Sequence, residues 1–400
     1  MALVSKTFSQ IITFTRASTA TFFNSAGTLT SAAVDAPRLD FNPSTLAAQG
    51  LLIEESRTNL LLRSEEFNDA AWTKTNSSIT ANAATAPSGT VTADKLIEAL
   101  DVNLVHQTTQ SSVTIVSLGT YTASCYVKAD TRTRVRIAFI VGGTSGVIAD
   151  ANLTAGTIGA ATAFGGGSAV GSSIQAINNG WYRITVSGTG AAGTSGELRI
   201  EMIDASGNRQ YNGDGTSGLF VWGAQLEAGA FPTSYIPTTT TALTRAADVA
   251  SVNTLSPWYN ASAGTLFAQV SLLTVSNESN RWVAAISDGT TGNYIGVFRQ
   301  TDQQPVGQVQ TSAGTQAGIG AGAIWTTTAS RKLALSYATN DFKFCTNGGA
   351  VFTDTAGTVP VVTQLQLGVI GSSGRVNGWL ERVTYYPRTL STAELQAITA

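Results

Sequence analysis

GAQLEAGAFPTSYIPTTTTALTRAADVASV, Gly223 to Val252, is the stretch on which the architecture turns. A strand carrying Trp222 runs out here, a Pro/Thr tract follows, and a second alternating pattern begins after it. Pro232 and Pro237 lack a backbone donor and push the residues before them toward extended geometry. The tract therefore reads as a stiff extended Pro/Thr linker over residues 236–255, lying on the surface between two β-rich modules. A long edge segment inside one large domain is the other reading that the length permits.

On the N-terminal side, residues 60–235 alternate with period two, the mark of half-buried strands. Tyr121, Ala123, Cys125 and Val127 alternate with Thr122, Ser124, Tyr126 and Lys128, and Val135, Ile137 and Phe139 with Arg134, Arg136 and Ala138. Gly-rich breaks such as Gly142-Gly143 and Gly165-Gly166-Gly167 separate the runs. On the C-terminal side, residues 256–400 repeat the pattern, with Leu266, Ala268, Val270 and Leu272 on one face of a strand. Asn347-Gly348 marks a tight turn, because both residues tolerate positive φ. Ser391 and Glu394 have capping-box spacing, so a short C-terminal helix should bury Leu395 and Ile398. No sustained helical period is present elsewhere. The expected fold is all-β: two antiparallel β-sandwich (jelly-roll) domains, the linker, and that helix.

Residues 1–59 form a polar lead-in with Phe14, Phe22, Phe23 and Phe41 spaced among turn signals. So little apolar content does not fold alone, and the segment is expected to dock on the first module or on a neighbouring subunit. Thr15-Arg16-Ala17-Ser18 is echoed by Thr244-Arg245-Ala246-Ala247, too short a match to count as a repeat. Glu54-Glu55-Ser56-Arg57 reads as a turn salt-bridged to Arg57 and Arg63, worth about 0 to 1 kcal/mol if exposed.

Composition excludes several functions. Charged residues are 12% of the chain and the net charge is −2, so there is no basic field for phosphates and nucleic acid is not an expected partner. Cys125 and Cys345 sit in alternating runs and are expected as buried free thiols. Two cysteines and one histidine, His106, leave little for a zinc site. His106 itself reads as structural. No stretch has the length of a membrane span, so no membrane insertion is expected. The N-terminus lacks a continuous apolar signal region, which points to synthesis in a cytoplasm and release by lysis.

GLLIEESRTNLLLRSEEFNDAAWTK (Gly50 to Lys74), ANAATAPSGTVTADKL (Ala81 to Leu96), GWYRITVSG (Gly180 to Gly188) and GLFVWGAQLEAGAFPTSYIPT (Gly218 to Thr238) occur in an order that resembles bacteriophage and prophage virion proteins. Those proteins carry a jelly roll similar to the carbohydrate-binding modules of bacterial glycanases. GWLERVTYYPRTLSTAELQAI (Gly378 to Ile398) resembles the close of a concanavalin-A/laminin-G-type sandwich. The resemblance implies a virion fibre, spike or decoration protein that engages host surface polysaccharide. It also implies a symmetric homo-oligomer, with a trimer as the leading expectation, and contacts to other virion proteins through the N-terminal segment.

Sugar recognition needs flat apolar faces together with amides, carboxylates or guanidinium groups for the hydroxyls. Trp72, Trp181, Trp222 and Trp379 fall within strand phrases and read as core. Trp282, Trp325 and Tyr294 lie beside polar turns. The candidate glycan-binding set is Tyr211, Asn212, Asp214, Trp282, Asn293, Tyr294, Arg299 and Trp325. Within YNGDGTSG (Tyr211 to Gly218), Asn212 and Asp214 offer oxygens to a sugar or to a structural Ca²⁺. One carboxylate and one amide fall short of a calcium shell, so a plain turn stands beside that reading and no metal ligands are named. No carboxylate pair stands in a glycosidase motif, and neither a GxSxG elbow nor a Walker loop occurs, so the chain is not expected to be an enzyme. The leading function is glycan binding without cleavage, with structural decoration and a polysaccharide-degrading spike as alternatives.

Overall fold

The computed structural model describes residues 7–320, 322–372 and 374–400. Residues 1–6, where the expected docking segment begins, lie outside them. The alternating runs of the first module pair as antiparallel strands in two facing sheets. Tyr121–Ala129 lies between Trp181–Thr189 and Gly218–Ala228 in a six-stranded sheet. Arg134–Val141, Ser195–Met202 and Leu100–Thr114 form the heart of the other. Cys125, Val127, Ile184 and Val186 from one sheet and Ile137, Phe139, Leu198 and Ile200 from the other close a solvent-free core. Every second residue of each run faces it, as the period requires.

A second sandwich is built around Ala263–Leu272, flanked by Arg331–Ala338 and Gly378–Tyr386. Arg281–Ser287 and Tyr294–Arg299 belong to the facing sheet. Leu266, Ala268, Val270 and Leu272 are buried in the shared core, on the face the sequence indicates. Asn347 and Gly348 both take positive φ, 48° and 66°, in the turn after Asp341–Thr346. At the C-terminus Ser391 Oγ accepts from Glu394 N, while Ser391 N donates to the Glu394 carboxylate, completing the capping box of Thr392–Thr399. That helix buries Leu395 against Phe267, Ala334 and Cys345 on the outside of the sheet, with Ile398 half-buried. Both cysteines are free and buried, and burial lifts the Cys125 thiol to about 12.

The lead-in departs from expectation. It does not dock as a separate arm: Thr13–Thr15 pairs with Val249–Val252, Ala48–Ile53 pairs with Gly378–Tyr386, and Leu39–Phe41 adds beyond it. Three short strands of the first sixty residues thus complete the sheets of the second sandwich. Between them, the hairpin of Ala20–Phe23 and Leu29–Ala32 packs Phe23 and Leu29 onto Tyr126, Trp181, Trp222 and Tyr235, on the outer face of the first module's six-stranded sheet. The lead-in crosses from one sandwich to the other and back.

The Pro/Thr tract is also not a surface strap along its length. Thr233, Tyr235 and Ile236 are buried, and only residues 239–244 form a continuous exposed run. A buried connector must have its backbone polar groups satisfied. Here Ile236 N donates to Gln225 Oε1 (2.7 Å), Asn59 Nδ2 donates to Ile236 O (2.9 Å), and Thr233 N donates to Glu227 Oε1 (2.9 Å). Leu243–Arg245 then pairs with Arg57–Asn59, and Val249–Val252 enters the second sandwich.

Candidate functional site

Lead-in and connector meet in a charged cluster at the junction of the sandwiches. Arg16 Nη1 lies 3.1 Å from Asp248 Oδ1, and Arg38 reaches both Glu54 (2.7 Å) and Asp248. Arg245 closes the ring at 3.6 Å from Glu54. All five side chains are at most 1% exposed. The two arginines of the short sequence echo, Arg16 and Arg245, thus converge on one carboxylate, Asp248. Glu54 is not part of an exposed turn, because Ser234 N and Oγ each donate to its carboxylate at 2.7 Å. Burial opposes ionisation of Glu54, but Arg245, Arg38 and Ser234 together outweigh it and hold the carboxyl down at about 2. Glu55 does pair with Arg57, whereas Arg63 turns to Glu66 and Asp69 instead.

Beside this cluster a cleft of about 100 Å³ opens between the sandwiches. One wall comes from the first module's six-stranded sheet, with Ser173, Gln175 and Arg183. The other comes from the second sandwich, with Asp40, Gln49 and Trp379, and the Phe22–Phe23 hairpin forms a lip. Trp379 and Phe22 are half-buried, while Ser173 and Gln175 are exposed. Aromatic rings beside amide and hydroxyl groups give the combination that a sugar ring requires.

Asp40 fixes this wall. Its Oδ2 accepts from Trp379 Nε1 at 2.8 Å and its Oδ1 from Phe23 N at 2.7 Å. Burial raises the carboxyl to about 6 despite both donors. Asp40 and Glu54 are therefore two carboxylates on one cleft with opposite shifts, a pattern that invites comparison with acid–base pairs. Glu54 does not serve as a nucleophile here, since Oε2 is held by Arg38 and Ser234 Oγ and Oε1 by Ser234 N. A roomier groove of about 450 Å³ runs past Arg57, Leu60, Ile115 and Tyr121. Its one aromatic side chain, Tyr121, is buried with its hydroxyl accepting from Val116 N, so that groove presents no ring to a sugar.

All eight sequence-derived candidates lie elsewhere, and five of them are buried. Tyr211 donates its hydroxyl to Glu98 (2.9 Å) and is stacked between His106 and the Arg132 guanidinium, at 4.5 and 4.8 Å. His106 is fully buried with Nε2 2.9 Å from Asp101, in keeping with a structural role. Trp282 packs on Phe298 and Tyr294 in a cluster that shields all three. Trp325 is 1% exposed, and Arg299 uses its guanidinium to donate to the carbonyls of Trp325 and Val275. These rings sit next to polar turns in sequence, but strands Arg281–Ser287 and Tyr294–Arg299 are buried on both faces.

Asn212, Asp214 and Asn293 are accessible and are engaged in shaping their turns. Asp214 Oδ1 accepts from Thr216 N and Ser217 N, and its Oδ2 accepts from Ser217 Oγ, which holds its carboxyl well below the usual range. Asn212 Oδ1 accepts from Asn103 N, and Asn293 bridges Asp288 and Ser312. Residues 211–214 thus end a strand paired with Leu100–Thr114, and Asp214 caps the turn that follows it. Among the described residues no group of three or more His, Cys, Asp or Glu side chains is placed to hold a metal ion. The structure brings Tyr211, Asn212 and Asp214 into one region and Trp282 with Tyr294 into another, in two separate cores.

Trp379, read from sequence as core, is instead a half-buried aromatic of the cleft, as is Phe22. The signal was present: Trp379 shares a strand face with Glu381, while Leu380 between them faces the core.

No family model matches this chain, and no curated protein matches it. Solved structures that resemble parts of it include the Ruminococcus gnavus IT-sialidase CBM40, at 18% identity and TM-score 0.30, covering 35% of this chain and 84% of that one. The mouse laminin alpha1 chain domains LG4-5 match at 9% identity and TM-score 0.24, covering 73% and 92%. A SAP-like pentraxin from Limulus polyphemus matches at 10% identity and TM-score 0.29, covering 34% and 70%. At these scores nothing that those proteins do passes to this chain.

Proposed function

We propose that this chain is a structural protein of a bacteriophage virion, a fibre or spike, that binds host surface polysaccharide in the cleft between its two sandwiches. The observation that carries the binding half is Trp379, a half-buried indole anchored by Asp40 within a cleft that also offers Gln49, Ser173 and Gln175. The virion half rests on the sequence phrases from Gly50 to Thr238. No step of cleavage is assigned, because the second carboxylate on the cleft is committed to the junction. Attachment to other virion proteins is proposed through the N-terminal segment, where helix Phe8–Ile11 leaves Ile11 47% exposed.

A fibre or spike is proposed to be a homotrimer, which multiplies a weak sugar affinity by about 10²- to 10⁴-fold when the sites engage together. A monodisperse monomer by light scattering overturns that part. The binding reading is tested by mixing the protein with intact polysaccharide from candidate hosts and following retention and new reducing ends together. Retention without cleavage, lost in Trp379→Ala, is expected. Release of reducing ends favours a degrading spike, and neither signal favours a purely structural decoration.

A further inference from the structure

We propose that Asp40 is a positioning residue for the cleft's aromatic wall, so that acidification releases Trp379 and weakens whatever the cleft binds; this rests on the sugar-binding reading of the same cleft. Asp40 accepts from two donors on different elements: the Trp379 indole on strand Gly378–Tyr386 and the Phe23 amide on the hairpin that forms the lip. One carboxylate therefore ties both apolar borders of the cleft. An ionised carboxylate accepts both bonds with charge assistance, whereas the protonated acid turns one oxygen into a hydroxyl.

The surroundings leave Asp40 free to titrate. Arg38 and Glu54 face it from the lead-in, and Arg38 is already divided between Glu54 and Asp248. The six-stranded sheet presents Tyr126 and Arg183, the latter donating to Thr233 O and Ser124 Oγ, and the connector presents Tyr235. None of these forms an ion pair with Asp40, which is 5% exposed, and burial lifts its carboxyl to about 6. The chain's single histidine lies in the other sheet against Tyr211 and does not supply a transition in the cleft.

The test uses the whole protein with ¹⁵N-labelled tryptophan. Trp379 Nε1–H is assigned by its absence from Trp379→Phe and followed from pH 7.5 to 5. The expected result is a shift of that signal centred near pH 6 in the parent protein and no shift in Asp40→Asn. A flat signal in the parent, or the same titration in Asp40→Asn, overturns the inference. Should Asp40→Asn fail to fold, the Asp40 side-chain ¹³C signal in Trp379→Phe takes its place. Loss of a donor to the charged form must move its midpoint to higher pH, and an unmoved midpoint overturns the inference equally. Retention on polysaccharide is measured in parallel and should weaken about tenfold from pH 7.5 to 5, the worth of one charge-assisted hydrogen bond. If no polysaccharide is retained at any pH, the sugar-binding reading falls, while the indole signal still decides the role of Asp40.

Discussion

Glu54 and Asp40 sit fourteen positions apart on the same lead-in and line the same cleft, yet they are opposite kinds of carboxylate. Glu54 has two guanidiniums and both polar groups of Ser234 around it, and its carboxyl is held down at about 2. Asp40 has two N–H donors and no ion pair, and its carboxyl rises to about 6. Burial is nearly the same, at 0% and 5% exposure, so burial does not decide the outcome. What decides it is whether cations share the site. The junction is consequently a set of fixed charges, and Asp40 beside it is a single adjustable one.

Breaking the fixed side should have the largest effect. Asp248→Ala leaves Arg16, Arg38 and Arg245 around an emptied position, and removing one member of a buried ion cluster costs about 3–5 kcal/mol. Calorimetry should show one transition moving down, because the lead-in strands tie both sandwiches together. Two transitions, with only one of them displaced, would falsify the description of a shared junction. Trp282→Ala and Trp325→Ala come next, each at about 3–5 kcal/mol as buried rings. Neither should alter retention on polysaccharide at a temperature where the variant is folded. A selective loss of retention in either would return them to the binding surface.

Trp379→Ala sharpens the adjustable side. The indole is half-buried but donates to buried Asp40, so stability should fall by less than for the two buried tryptophans, about 1–3 kcal/mol, while retention on polysaccharide falls by about tenfold or more, on the scale of 1.4 kcal/mol. A large drop in melting temperature with unchanged retention reverses that assignment. The smallest effects are in the pH dependence of stability, and there the two carboxylates pull in opposite directions. Asp40 binds its proton more tightly folded than unfolded, so its contribution is full below its ordinary value of 3.8 and is lost as pH rises through about 6. Glu54 behaves conversely: its contribution is present above 4.5 and is lost as pH falls toward about 2. Urea unfolding of the parent, Asp40→Asn and Glu54→Gln between pH 3 and 8 separates them. The same slope for both variants contradicts the contrast.

The strands were legible wherever one face is buried and the other is wet. Tyr121–Ala129 and Ala263–Leu272 declare themselves by alternation, and the Ser391 cap and the Asn347-Gly348 turn by local chemistry that needs no partner. The weave was not legible, because Thr13–Thr15 is only three residues long and, like Ala48–Ile53, pairs with a strand supplied hundreds of positions later. Nor was the burial of the connector, which depends on Asn59, Gln225 and Glu227 satisfying the backbone of Thr233 and Ile236. The site was misplaced for a related reason. Polar neighbours in sequence suggested that Trp282 and Tyr294 were exposed, but direction across a strand governs exposure. Strand Arg281–Ser287 is covered on both sides. Trp379 reads as core from its strand phrase, although Glu381 marks its face as the less buried one.

The closing of the second sandwich by the first sixty residues sets the order in which this molecule can be completed. Glu55 N donates to the Asn377 side chain across 322 positions, next to the pairing of Leu51–Ile53 with Gly378–Leu380. A ribosome adding about 5–20 residues per second needs roughly 15–65 seconds to span that distance. During that interval Ala48–Ile53 has only Leu39–Phe41 beside it, and its other edge waits for Gly378–Tyr386. The first module can mature while the chain is still being made. The second, with the cleft between them, must wait for strand Gly378–Tyr386 and then close around a segment made more than 300 residues earlier.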